Sequence, residues 1–165
     1  MKIARILIAV LVGSSALFAQ KDTWKYVGRA ETMKSYYETE SAKKIGEYVV
    51  QAWVKLVPVS DADRQTEATH RQKLNPSGDY TNYAYTMILA ENDCVKTRTR
   101  PLSTIDYDSK GVAIQTHEFK QPADWYYPPP ESIGLSLLQA ICVDAYPPSR
   151  DDIDRLLGIK PKRKP

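Results

Sequence analysis

The sequence EYVVQAWVKLV, residues 47–57, alternates side chains with the two-residue period of a β-strand. Gln51 and Lys55 mark the more polar face of this segment. Pro58 follows directly and ends the hydrogen-bonding ladder, because proline has no backbone N–H. The apolar face carries Tyr48, Val50, Ala52, Val54 and Leu56. The segment therefore predicts a strand with one face packed against a core.

Segments with similar alternation lie on both sides of this strand. Tyr36 and Tyr37 are predicted to point to opposite faces of one of them. Asp108–Gly111 predicts a hairpin turn, in which Gly111 supplies the positive φ. The further predicted strands are Trp24–Val27, Met33–Glu38, Tyr80–Lys96, Arg98–Tyr107 and Val112–Glu118. These segments predict an antiparallel sheet of about five or six strands.

The predicted strand Tyr80–Lys96 contains one of the two cysteines of the chain, Cys94. We expect Cys94 to share a face with Ala84, Ile88 and Ala90. The opposite face is expected to carry Tyr83, Tyr85, Met87 and Leu89. Cys94 is thereby predicted to lie on the sheet among small and apolar side chains.

Helical periodicity is clear only near the end of the chain. Ser132–Val143 predicts a helix with Leu135, Leu138 and Cys142 on one face, and either Glu131 or Ser132 can cap it. A second, short helix is predicted for residues 149–157. The charged stretch Ser60–Asp79 predicts a long loop, with a single helical turn near Asp63–His70.

The first 19 residues have the three parts of an export signal. Lys2 and Arg5 give a positive start, Ile6–Val12 is a short apolar core, and Ala19 offers a small residue for cleavage. A cut after Ala16 is the alternative site. A retained membrane anchor is the competing interpretation, but the apolar run is shorter than the roughly 20 residues that span a bilayer. We therefore predict a chain that is exported and has no integral membrane span after cleavage.

Export determines the expected oxidation state of the two cysteines. Outside the reducing cytosol, two lone thiols are expected to pair. Because Cys94 is predicted on the buried side of the sheet and Cys142 on the buried side of the helix, their disulfide would clamp the helix to the sheet.

The sequence contains no assembled catalytic or metal-binding motif. The two histidines, His70 and His117, fall in a charged loop and an alternating strand, and neither a nucleophile elbow nor a phosphate loop occurs. Asp106–Gly111 imitates the start of a calcium loop, but His117 stands where that loop requires a bidentate glutamate. We expect no enzymatic activity, no cofactor and no metal site.

Composition points to a protein partner rather than to nucleic acid. Two of the 23 basic residues, Lys2 and Arg5, lie in the leader, so 21 basic and 20 acidic residues remain and the formal charge falls from +3 to +1. The basic residues of the C-terminal tail are expected to be solvated. The chain has 11 Tyr and three Trp, which suit a half-exposed sheet face able to contact a partner. The segment Trp125–Pro130 is the other candidate contact surface, or else it packs on the sheet edge and stiffens the approach to the helix.

The order of several residues resembles the surface-adhesin protein E family of Gram-negative bacteria. The resemblance spans about residues 24–142. It is carried by Trp24 with Tyr26 and Gly28, Trp53, the Asp93–Cys94 pair, Tyr107 before Gly111, Trp125 followed by Pro130, Glu131 and Ser132, and Leu137–Leu138 before Cys142. The insertion at Ser60–Asp79 and everything after Val143 fall outside the pattern.

This resemblance implies an antiparallel sheet with a disulfide-fixed C-terminal helix, the same α+β fold that the periodicity predicts. It also implies a non-catalytic binding protein in the periplasm or at the cell surface, an adhesin for host extracellular-matrix proteins that can form homodimers. A periplasmic protein inhibitor or envelope assembly factor is the alternative. The expected organisation is a signal peptide at residues 1–19, the adhesin-like domain at 20–143 and a C-terminal extension at 144–165.

Overall fold

The computed structural model describes residues 23–120 and 123–149. The predicted leader lies outside these ranges, as does the short helix predicted for residues 149–157 from Arg150 onward. The described chain forms seven strands and two α-helices. They are β1 (Trp24–Arg29), β2 (Met33–Glu38), β3 (Lys43–Gly46), β4 (Val49–Pro58), α1 (Asp61–Leu74), β5 (Tyr83–Asp93), β6 (Arg98–Asp108), β7 (Ala113–Glu118) and α2 (Ile133–Ala145).

All seven strands belong to one antiparallel sheet. Six of them follow the order β1-β2-β4-β5-β6-β7, and β3 pairs with the start of β4 beside β2. The turn between β6 and β7 contains Gly111 at φ 78°, the positive value predicted for this hairpin. The predicted fold class, an α+β antiparallel sheet with a C-terminal helix, is confirmed.

The core lies between α2 and one face of the sheet. Val50 and Ala52 on β4 are fully buried, and Ile141 on α2 is 1 % exposed. The alternation that predicted a buried face on residues 47–57 is therefore correct, although β4 begins at Val49. Tyr48 precedes it with φ 60° and an exposed side chain.

A disulfide joins this face of the sheet to α2. Cys94 follows the last residue of β5, and its backbone N–H donates to the carbonyl of Tyr48 at 2.8 Å. The α-carbons of Cys94 and Cys142 are 5.6 Å apart, within the range that a disulfide spans. Ser132 caps α2 by accepting a hydrogen bond from the backbone N–H of Leu135, so of the two capping candidates Ser132 is the cap.

The prediction of a loop at Ser60–Asp79 is wrong, because most of this stretch is the 14-residue helix α1. Ser60 and Asp63 form a reciprocal capping box, in which each side chain accepts from the other residue's backbone N–H. No residue of α1 is buried, so the helix has no apolar stripe for a periodicity argument to detect. Arg71 ties α1 to the sheet through an ion pair with Asp106, whose side chain is 10 % exposed.

The predicted face of Tyr83 is also wrong. The register of β5 shifts between Tyr83 and Tyr85, which turns Tyr83 to the helix-bearing side. Tyr83 is fully buried, bonds the hydroxyl of Thr86, and lies under the Arg71 guanidinium at 5.2 Å. Strand β3 was not predicted, since all four of its residues are exposed and give no alternation.

Candidate functional site

The face of the sheet opposite α1 and α2 is the candidate functional site, and we call it the open face. Its central row follows from the register, which pairs Tyr36 with Lys55, Lys55 with Met87, and Met87 with Ile105. Directly paired residues of antiparallel strands share a face. The aromatic and apolar side chains of the open face, together with Lys55, are Trp24, Tyr26, Tyr36, Trp53, Tyr85, Met87, Leu89, Ile105 and Tyr107.

These side chains are mostly half-buried by one another. Tyr26 at the β1 edge is 53 % exposed, whereas the others keep smaller accessible fractions. Side chains of this kind have lost much of their conformational freedom before a partner arrives, which lowers the entropy cost of binding. The open face is thus a preformed apolar and aromatic surface.

Lys55 is the charged centre of the open face. Its Nζ lies 4.2 Å from the ring centroid of Trp24, 5.6 Å from that of Tyr36 and 5.8 Å from that of Tyr85. The faces of aromatic rings attract a cation, so three rings help to hold this ammonium group in place. The arrangement places a positive charge among aromatic rings at the centre of the open face.

Tyrosine pairs extend the face on both sides of Lys55. Tyr85 and Tyr107 stack with their centroids 5.0 Å apart and their planes 17° from parallel. Tyr26 and Tyr36 meet at 5.4 Å and 60°. Burial raises the pKa of the Tyr85 hydroxyl, and the neighbouring Tyr107 and Asp108 raise it further. Tyr85 is therefore neutral at physiological pH and can both donate and accept a hydrogen bond.

Trp125 closes one end of the open face. The centroid of its ring lies 4.6 Å from the guanidinium carbon of Arg98 and 4.4 Å from that of Arg100. Tyr126, the next residue, pairs with Thr99 of β6 and so fixes this segment along the sheet. Of the two interpretations of residues 125–130, the geometry favours packing on the sheet.

Each of the two arginines beside Trp125 also has an acidic partner. Arg98 Nε lies 3.0 Å from Asp93 Oδ2, and Arg100 Nη2 lies 2.6 Å from Glu91 Oε2. Burial opposes ionisation of Asp93, but hydrogen bonds from the backbone N–H of Lys96 and from Arg98 outweigh it and lower the pKa of Asp93. The arginines are thus held rigidly as a platform for the tryptophan ring.

The predicted pair Cys94–Cys142 lies on the helix-bearing face and serves the fold rather than the open face. At the C-terminal end of α2, Asp144 accepts hydrogen bonds from Lys25 Nζ and from the hydroxyl of Tyr37. These two bonds lower the pKa of the Asp144 carboxyl. The disulfide and this second attachment position α2 against β1, β2 and β4.

The two histidines and Asp106 lie apart from the open face. His70 and His117 are both exposed. Within residues 23–120 and 123–149 there is no cluster of three or more His, Cys, Asp or Glu side chains able to hold a metal ion. In the same ranges no helix has the length and apolar character needed to cross a membrane. Asp106, which opened the calcium-like sequence, is the buried partner of Arg71, Thr86 and Tyr80.

Comparison with protein families gives a match to surface-adhesin protein E over residues 24–143, which contains every strand and nearly all of α2. The chain belongs to the surface-adhesin protein E family. A search of curated proteins gave no match. Membership in the protein E family indicates a binding protein with a protein partner, exported or located at the cell surface.

The sequence predicted part of this adhesin-family site. The tyrosine and tryptophan content and the alternation predicted an aromatic sheet face. The cluster around Lys55 was missed, because Trp24, Tyr36 and Tyr85 meet there from three different strands. Only the pairing register of β1, β2, β4 and β5 identifies these neighbours, and one sequence does not contain it.

Proposed function

We propose that this protein is an exported, non-catalytic adhesin whose open face binds a host extracellular-matrix protein. The observation that carries the proposal is the concentration of aromatic side chains around Lys55 on a sheet face opposite both helices. Tyrosine and tryptophan supply a large share of the binding energy at protein interfaces. A lysine held among aromatic rings adds a positive charge at a fixed position. Membership in the surface-adhesin protein E family supports this function.

The proposal includes removal of residues 1–19 on export, which leaves a mature chain starting at Gln20. The C-terminal residues after Val143 are outside the part that matches the family, so we place no binding residue there. Homodimer formation through the open face is compatible with this proposal. The face would hold one partner at a time, either the matrix protein or a second copy of the chain. Binding and self-association through this surface would then compete.

The experiment is a capture assay with the oxidised protein, run in parallel against purified extracellular-matrix glycoproteins and a periplasmic extract. An adhesin retains a matrix protein and is reached by antibody and protease on intact cells. An inhibitor or assembly factor instead retains a periplasmic protein and is protected behind the outer membrane. The second result would contradict the proposal.

Matched variants test the surface itself. Tyr26→Ala removes an exposed ring from the open face, and Tyr127→Ala removes one that is 66 % exposed in the proline-rich segment. Leu74→Ala, at a residue 72 % exposed on α1, is the control on the other side of the sheet. Lys55→Glu reverses the charge at the centre of the open face. We expect Lys55→Glu and Tyr26→Ala to weaken binding about tenfold, and we expect Tyr127→Ala and Leu74→Ala to leave it unchanged. Loss confined to Tyr127→Ala would move the site to residues 125–130.

A further inference from the structure

A cavity of about 310 Å³ lies on the helix-bearing side of the sheet, opposite the open face. Its floor is formed by Val54, Ile88 and Ala90 on β4 and β5. The opposing walls come from residues 128–130, which we call the proline segment, and from the first half of α2. The lining residues there are Pro128, Pro129, Ile133 and Leu137. Because this cavity shares no residue with the open face, an inference about it is independent of the proposed function.

No charged side chain lines the cavity. A carboxylate or ammonium group placed inside would lose its hydration without gaining an opposite charge, which is strongly unfavourable. The volume is at the lower end of the range typical for small-molecule sites, about 300–1,000 Å³. Both properties favour a small uncharged occupant with an apolar body.

Two buried polar side chains in the lining add a requirement for a hydrogen-bond donor. Asn92 is 3 % exposed, and its Nδ2 donates to the carbonyl of Val50 at 3.3 Å. Among the described residues none donates to Asn92 Oδ1. Thr99 is 6 % exposed and uses its hydroxyl proton on the carbonyl of Glu91, at 3.0 Å. Both side chains therefore offer acceptor oxygens at a cavity whose other polar lining groups are the hydroxyls of Tyr126 and Ser132.

We propose that this cavity binds a small, uncharged, largely apolar molecule with one hydrogen-bond donor, of which a medium-chain alcohol is the simplest example. The alkyl or aryl body would contact the floor of Val54, Ile88 and Ala90. The donor would reach Asn92 Oδ1, to which no described residue donates. Binding at this place would also brace the proline segment against α2.

A fluorescent probe of matching chemistry tests the proposal. N-phenyl-1-naphthylamine is neutral, carries one N–H donor and brightens in apolar surroundings. We expect saturable fluorescence with the oxidised protein, displaced by 1-decanol. Decanoate should compete at least about tenfold more weakly because of its charge, and the methyl ether of a similar alcohol at least about threefold more weakly because it lacks the donor.

Cavity-filling variants locate the probe. Ala90→Leu fills the cavity from the sheet, and Gly134→Leu fills it from α2, where an added Cβ would meet Pro128 at 3.5 Å. Ala113→Leu makes the same change as the first variant at an exposed position of β7. We expect both filling variants to lose at least about tenfold in probe affinity, while Ala113→Leu retains it.

Two filling variants are used so that the test survives if one of them fails to fold. Gly134→Leu is expected to fold, because leucine has a higher helix propensity than glycine. The proposal is overturned if the wild-type protein gives no saturable signal, or if folded Ala90→Leu and Gly134→Leu bind the probe as well as Ala113→Leu. It is also overturned if decanoate competes as well as 1-decanol. Loss of protein-partner capture in the filling variants without any probe binding would identify a peptide site instead.

Discussion

Removing the disulfide with Cys94→Ala and Cys142→Ala should lower the free energy of unfolding by about 4 kcal/mol. The two cysteines are 48 residues apart in sequence. In the chain-entropy account, opening a loop of that length frees the unfolded chain by about this amount. Because the whole stability of a domain is about 5–15 kcal/mol, the double variant should fold but be much easier to unfold.

Urea denaturation of the oxidised wild-type protein and the double variant measures the effect. With a slope of about 1.5 kcal/mol per molar urea, the midpoint should fall by about 2.7 M. Val143→Ala, at a position 55 % exposed beside Cys142, is the matched control and should stay within about 0.5 kcal/mol of wild type. A loss of less than about 1 kcal/mol in the double variant would refute the reasoning, since it would mean that packing and the Asp144 hydrogen bonds hold α2 without the disulfide.

Three further predictions concern individual side chains. Ile141→Ala, at a position 1 % exposed in the core, should lower the free energy of unfolding by about 3 kcal/mol in the same urea assay. Ser60→Ala removes the cap of α1 and should speed hydrogen exchange across residues 61–74 with a stability loss of about 1 kcal/mol, and unchanged exchange would contradict the capping box. Asp144→Asn should be less stable than wild type at neutral pH by about 0.5–1 kcal/mol, a modest figure because solvent screens this partly exposed carboxyl. Since Lys25 and Tyr37 lower the pKa of Asp144, the difference should be full above the ordinary carboxyl pKa of about 4 and vanish as the pH falls below the lowered value, and a difference that persists in acid would contradict this assignment.

The elements with one buried face were predictable from sequence, whereas those held by polar contacts were not. The alternation of residues 47–57 and the apolar stripe of α2 both reflect burial, and the sheet and its helix follow from them. Helix α1 was missed because it is attached through the Arg71–Asp106 ion pair and has no buried residue. Tyr83 was assigned to the wrong face because a register shift in β5 interrupts the two-residue period.

The candidate site was predictable only as a type of surface. Tyrosine and tryptophan content indicated an aromatic sheet face, but the ring cluster at Lys55 depends on strand pairing across distant parts of the chain. The cavity beside α2 arises from the packing between the proline segment and the sheet, so no local sequence pattern predicts it.

Radical footprinting of the protein with and without its captured partner tests the binding surface most directly. Mass spectrometry then measures the oxidation of each accessible ring. The account predicts that Tyr26 and Trp53 on the open face are protected in the complex, while Tyr127 is oxidised as in the free protein. Protection of Tyr127, with Tyr26 and Trp53 oxidised at their free rates, would contradict it.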